Sequence, residues 1–186
     1  MTHSDHELLQ RLAHGDMAAL GDLYDRHARR VYHVLLARGL EVGEADEVLP
    51  EVFLALAERG RKLRQVQSAL AYLLGIARHL AHRVRKVRVK NPTASPAGVD
   101  DRGLPARPAE PAVAPTATVA PGPEGSLAVV QLLRQLPPEQ AEVVALKVWH
   151  GFTFEEIGQA LAVSPNTAAS RYRYGIEKLK GMWEEE

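Results

Sequence analysis

The sequence predicts an all-α protein: a four-helix N-terminal bundle and a small C-terminal helix-turn-helix domain, joined by a Pro/Ala-rich linker. Three observations carry this. Apolar residues recur at helical spacing on both sides of a central gap, with no alternating strand pattern. The gap, residues 91–125, holds eight prolines among Ala, Val, Thr and Gly. Two short helical segments near the end are bounded by matched start and stop residues.

Taken in order, Ser4 and Glu7 form a capping box for a short helix carrying Leu8, Leu9 and Leu12 and stopped by Gly15. Asp16 can cap the next, in which Leu20, Leu23, Tyr24, Ala28, Val31 and Leu35 keep one face up to Gly39. A third helix is expected from about Glu44 to Glu58, with Val48, Val52, Phe53 and Leu56 inward and Glu44, Asp46, Glu47 and Glu51 outward. Pro50 falls inside it, so the helix either kinks there or begins near it. Arg59 to Gln67 lacks periodicity and is expected to be a basic loop. Ser68 can cap a fourth helix with the stripe Ala69, Leu73, Ile76, Leu80, Val84 and Val87. Its outer face carries Tyr72, Arg78, His79, His82, Arg83, Arg85, Lys86 and Arg88.

Residues 91–125 are expected to form a disordered or polyproline-like linker. Fully stretched, it would reach roughly 115 Å; as a flexible chain it would average about 30 to 35 Å. Beyond it, Leu127, Val130, Leu133 and Leu136 suggest a short helix, and Pro138 to Trp149 a further one packed through Ala141, Val144, Ala145 and Val148. Gly151 suits the end of that helix. Thr153 and Glu156 then make a second capping box, with Phe154, Ile157 and Leu161 on one face. Ser164 as N-cap and Pro165 at the first helical position start the last helix, whose inward stripe is Ala169, Tyr172, Ile176, Leu179 and Trp183. Asn166, Thr167, Ser170, Arg171, Arg173, Tyr174 and Lys178 must then point outward. Such a face offers amide and guanidinium forks for base edges and hydroxyls and cations for phosphates. The competing reading is a solvated helical face.

The formal net charge is zero, but the charge is unevenly placed: residues 1–90 carry 15 Lys+Arg against 11 Asp+Glu. Arg78 to Lys90 holds six cations and Arg59 to Arg64 four, neither with an acid. Local patches of this kind, rather than the total, attract phosphates. The chain has no cysteine, which excludes disulfides, Cys-based zinc sites and thiol catalysis. No apolar run approaches a membrane span and the first residues do not resemble a signal peptide, so a cytoplasmic protein without membrane contact is expected. His79 and His82 could share a metal, but no third ligand is near them in sequence; surface histidines on a basic helix are the simpler reading. No phosphate-cradling glycine loop or nucleophilic triad is present, so no enzyme activity, cofactor or small-molecule substrate is expected.

With these segments in place, the chain resembles the extracytoplasmic-function group of the sigma-70 family. LPPEQAEVVALKVWHGFTFEEIGQALAVSPNTAASRYRYGIEKLK is similar to the domain that reads the minus-35 promoter element and touches the polymerase flap. HELLQRLAHGDMAALGDLYDRHARRVY, EADEVLPEVFLALAERG and AYLLGIARHLAHRVRK are similar to the domain that grips the core clamp and opens the minus-10 element. The resemblance implies residues 1–90 and 126–186 as those two domains, and core RNA polymerase and promoter DNA as partners. It implies minus-35 contacts from the outward face of the last helix, including Tyr174 and Lys178. Minus-10 contacts would come from Arg61, Lys62, Arg64, Tyr72, Arg78, His79 and Arg83, and clamp contacts from Asp46, Glu47 and Glu51. The chain departs from the family pattern at Pro50, where a glutamine is usual, at Ala169 in place of a lysine, and at His79 in place of an asparagine. Control is expected from outside the chain, with an anti-sigma factor as a further candidate partner. A reading of a different class stays open: a DNA-binding regulator whose N-terminal domain is only a protein-interaction module.

Overall fold

The computed structural model describes residues 3–90 and 127–184, so the linker expectation for 91–125 lies outside the described residues. The elements are α1 (Asp5–Ala13), α2 (Ala18–Ala37), α3 (Val42–Ala57), a 3-10 helix (Gly60–Gln65), α4 (Ala69–Lys90), α5 (Leu127–Arg134), α6 (Pro138–His150), α7 (Phe154–Leu161) and α8 (Pro165–Glu184). Among the described residues there is no strand.

The expected caps form. The amide of Glu7 donates to Ser4 Oγ at 3.2 Å and that of Ser4 to Glu7 Oε2 at 2.7 Å. Thr153 and Glu156 repeat the arrangement at the same two distances. Ser68 Oγ receives the amide of Ala71, and Asp16 Oδ1 that of Ala18. Gly151 closes α6 in the left-handed conformation at φ 65°.

Several expectations are corrected. Arg59 to Gln67 is not a bare loop: it winds into the 3-10 helix because Leu63 is fully buried and pins it to the bundle. Of the two readings of Pro50, a start of α3 near it is excluded: the helix begins at Val42 and runs through Pro50, which cannot donate to the Asp46 carbonyl. Glu44 is buried rather than outward, since its Oε2 turns back to accept the Glu41 amide at 2.7 Å and Arg88 of α4 covers it at 3.2 Å. On α4 the buried set is Ala69, Leu73, Leu74, Ala77 and Ala81, while Val87 is exposed. The small Ala77 and Ala81 allow close approach by neighbours on a face rotated from the expected stripe. On α6, Ala141, Val144 and Ala145 pack against Leu133, Leu136, Ile176 and Leu179, but Val148 is exposed. On α8 it is Ala168 that is fully buried, with Ala169 half-buried. The side chains of Leu127 and Trp183 lie outside the described residues.

The reason for these shifts is that the two halves are packed together. α2 touches α5 and α6, and α4 touches α7. Val143, Leu146, Ile157 and Leu161 therefore join one core with Leu23, Leu35, Leu73 and Leu74. Residues 31 to 37 of α2 are buried all round, bundle on one side and C-terminal half on the other. Among the described residues no helix is long and apolar enough to cross a membrane.

Between α7 and α8 the chain turns through Ala162 in the left-handed region, φ 55°. Gly158 makes the turn fit, since a Cβ there would stand 2.8 Å from the Val163 carbonyl oxygen and 3.3 Å from the Pro165 nitrogen. Both obstacles are backbone. Gly158→Ala should therefore destabilise the protein by about 1–3 kcal/mol in thermal unfolding, whereas Gly181→Ala, with nothing within 4 Å, should be neutral or stabilise it by up to about 1 kcal/mol.

Candidate nucleic-acid interface

The 3-10 helix presents its cations because Leu63 points in: Arg61 and Lys62, beside it, are exposed. Arg64 is also exposed but anchored, its Nη2 lying 2.8 Å from His14 Nε2 and its carbonyl accepting from Gln10 Nε2 at 3.4 Å. Behind these cations opens a groove of about 1040 Å³ lined by Lys62, Gln65, Val66, Gln67, Ala71, Tyr72 and, from α7, Gln159. An aromatic ring, amide side chains and a cation around one space can stack a base out of its helix, bond its edge and hold its phosphate. Lys62 and Tyr72 are thus brought together as expected. Gln65 and Gln67 were visible in the same basic stretch, but Gln159 carried no signal, since its place depends on how α7 docks.

The remaining members of the α4 set divide. His79 and Arg83 are exposed. Arg78 is not on the free outer face. Its Nη1 donates to the Leu161 carbonyl at the end of α7 (3.2 Å), its Nε to the Leu74 carbonyl (3.3 Å), and the same Nε lies 3.7 Å from Glu142 Oε1. A cation at a helix C-terminus meets unsatisfied carbonyls and the negative end of the dipole, so the position is a favourable one.

On α8, Asn166, Arg173, Tyr174 and Lys178 are exposed as expected, while Thr167, Ser170 and Arg171 are half-buried, Arg171 near enough to act on the buried Glu142. Ser164 Oγ accepts the Thr167 amide at 3.0 Å and pairs with Thr167 Oγ1 at 2.8 Å, so the cap also orients a face residue. The Arg173 guanidinium lies over the Tyr174 ring at 5.5 Å.

Asp46, Glu47 and Glu51 are exposed along α3. Partial burial raises the Glu51 carboxyl above its ordinary value, Arg83 opposing. Leu54 continues the stripe from Glu47 and Glu51 and is 56% exposed. That apolar residue among acids suits contact with a protein, and it went unnoticed in the sequence because it merely interrupts a charged face.

The seam between the halves is polar at its centre. Glu142, 1% exposed, accepts from Arg38 Nη1 at 3.0 Å, with Arg78 on its other oxygen. Arg134 donates to the Leu40 carbonyl at 2.6 Å and to Glu41 at 3.2 Å. His33 Nδ1 meets His150 Nε2 at 3.1 Å, His33 packs on Trp149, and Arg30 lies over Phe152. Among the described residues no three His, Asp, Glu or Cys side chains gather to hold a metal.

Known proteins agree with this arrangement. The sigma-70 region 2 family model matches residues 23–89, and the model of sigma-70 region 4 matches residues 126–179. SigK of Mycobacterium ulcerans, an ECF RNA polymerase sigma factor, is 30% identical over 176 residues, covering 93% of this chain and 90% of its own length. The chain belongs to the ECF sigma factors. CarQ of Myxococcus xanthus, an RNA polymerase sigma factor, is 29% identical over 175 residues, 94% of each chain. The solved structure of CnrH in complex with the cytosolic domain of CnrY has the same fold, with a TM-score of 0.66 over 98% of both chains at 18% identity. With region 2 present beside region 4, a DNA-binding regulator whose N-terminal domain is only a protein-interaction module is not favoured; this sigma factor is a promoter-recognising one.

The histidine pair makes the seam sensitive to acid. Burial holds both rings down to about 4, with Arg29 acting on His33 and with His33, Arg30 and Arg29 acting on His150. Since both lie below the ordinary 6.5, their contribution is complete above that pH and is withdrawn as pH falls toward 4. Glu142 acts in the opposite sense, because burial raises its carboxyl despite Arg38 and Arg78, so protonation eases its burial. The thermal midpoint of the sigma factor should fall between pH 6.5 and 4, and His33→Asn with His150→Asn should flatten that fall. An equal slope in both proteins, followed by circular dichroism, would assign the acid sensitivity elsewhere.

Proposed function

We propose that this sigma factor grips a promoter at two points while held on core RNA polymerase. Residues 126–186 lay α8 in the major groove of the minus-35 element, with Asn166 and Arg171 toward base edges and Thr167, Ser170, Arg173, Tyr174 and Lys178 toward the backbone. Residues 1–90 receive the melted minus-10 strand. Tyr72 with Gln65 and Gln67 takes an unstacked base, Arg61, Lys62 and Arg64 hold its phosphates, and His79, Arg83 and, once released from Leu161, Arg78 continue the track along α4. The supporting observation is the groove itself, which places an aromatic ring, amides and a row of exposed cations on one edge of the bundle.

On the far side, Asp46, Glu47 and Glu51 with Leu54 face the polymerase clamp, and the C-terminal domain touches the flap. Residues 91–125 tether the two. The chemistry of transcription belongs to the polymerase; the sigma factor selects, positions and melts, and it does so in the cytoplasm. CnrH is held by the cytosolic domain of CnrY, and an anti-sigma factor of that general kind is proposed as a further partner here.

Promoters identified by mapping transcripts after overexpression provide the test. Arg171→Ala should weaken holoenzyme binding and reduce the salt slope by about one counterion; an unchanged slope would take Arg171 off the phosphates. Tyr72→Ala should lower permanganate reactivity of the minus-10 region about fivefold or more, as expected for a lost stacking contact of about 1–3 kcal/mol, and leave protection of the minus-35 element intact. Equal loss at both elements would remove Tyr72 from strand capture.

A further inference from the structure

We infer that α1 is the positioning element for strand capture: His14 and Gln10 hold Arg64, and through it they aim the 3-10 helix that carries Arg61 and Lys62. This rests on the proposed role of those cations in holding the melted strand. α1 lies outside residues 23–89, the stretch matched by the sigma-70 region 2 model.

α1 is itself firmly seated. Leu8 and Leu9 are fully buried against the bundle and Leu12 nearly so. At its start, Asp5 Oδ2 lies 2.8 Å from Nε2 of the buried His27 on α2, and Arg26 pairs with the other carboxylate oxygen. At its end, Arg11 Nε donates to Asp16 Oδ2 at 2.8 Å. Apolar burial sets the depth of the helix, and directional ion pairs at both ends set its rotation.

Gln10 and His14 stand one turn apart and share the face that meets the 3-10 helix. Gln10 Nε2 donates to the Arg64 carbonyl at 3.4 Å. His14 Nδ1 lies 2.7 Å from the Gln10 carbonyl, which can only accept, so Nδ1 carries the proton. Nε2 is left with its lone pair, and Arg64 Nη2 donates into it at 2.8 Å. One ring nitrogen thus caps a last-turn carbonyl of α1 while the other holds a guanidinium.

The fully buried Leu63 attaches the 3-10 helix to the bundle, but burial alone is non-directional and short 3-10 turns are weak. The bonds from α1 supply the missing direction. They meet Arg64 at its backbone and at its head, so the segment cannot roll about Leu63 without breaking both. His14 uses one of the five guanidinium donors, and the others stay available for a phosphate. An arginine aimed in advance gives up less rotamer freedom when a strand arrives. Neither Gln10 nor His14 needs to touch DNA for this.

Holoenzyme on a promoter found by transcript mapping tests the inference, with two substitutions that divide the roles of the ring. His14→Asn keeps a donor at the place of Nδ1 and has no acceptor at that of Nε2; His14→Gln puts an amide oxygen near the Nε2 position. His14→Asn should speed hydrogen exchange of the Lys62 and Val66 amides, which close the 3-10 turns onto Arg59 and Leu63. It should also slow minus-10 opening, followed by permanganate, about two- to tenfold, as expected for one lost hydrogen bond to a charged group. Minus-35 protection should be unchanged, and circular dichroism should show a folded chain. His14→Gln should restore both exchange and opening. Unchanged opening in His14→Asn, or equal loss in the two variants, would overturn the positioning role if Arg61→Ala with Lys62→Ala still slows opening. Normal opening in that double variant would instead sink the strand-holding role of the 3-10 helix, and the inference with it.

Discussion

Glu142 is held at 1% exposure by two arginines from the other half of the molecule, and the relation between the halves follows from that placement. An ionised carboxylate in such surroundings is costly unless paired, and the pairing brings the end of α2 and the middle of α4 to the same side of α6. The apolar contacts of Val143, Leu146, Ile157 and Leu161 then close around it. Non-directional burial would tolerate several registers of one helical layer on another; the guanidinium fork of Arg38 at 3.0 Å tolerates far fewer.

Arg78 shows how one side chain can answer two demands. Its length and planar head suit a nucleic-acid backbone, and the same features let it cap the end of α7 while facing Glu142. Lysine would serve the phosphate but make a poorer bridge. Tyr72 and Lys62 make no such bridge and line the groove.

Local signals were readable in the sequence wherever a residue acts on its own neighbourhood. The boxes at Ser4 and Thr153, the N-cap at Ser164 and the left-handed Gly151 depend on bonds within one or two turns, and all are found where the residues place them. The errors fall where burial was decided by something distant. Val148 fits the α6 stripe but is exposed, because α6 buries a second face toward α2 and rotates to do so. Glu44 has the character of a surface acid until Arg88, forty-four residues later, covers it. Glu142 is the extreme case, since the two arginines that meet its oxygens both lie in the other half of the chain. Of the residues proposed for binding, those on exposed faces stand out by periodicity and charge; Leu54, uncharged on an acidic face, does not, and the place of Gln159 depends on how α7 docks.

Leu54 also bears on how the two kinds of partner respond to the medium. DNA contacts made through Arg, Lys and His weaken steeply as salt displaces the counterion advantage. A protein surface that covers an apolar side chain flanked by Glu47 and Glu51 loses its charge attraction in the same way but keeps the gain from excluding water, which salt does not screen. On the proposed reading, ionic strength therefore acts unequally on the two faces of this molecule, weakening the charge-borne contacts more than the one that covers Leu54.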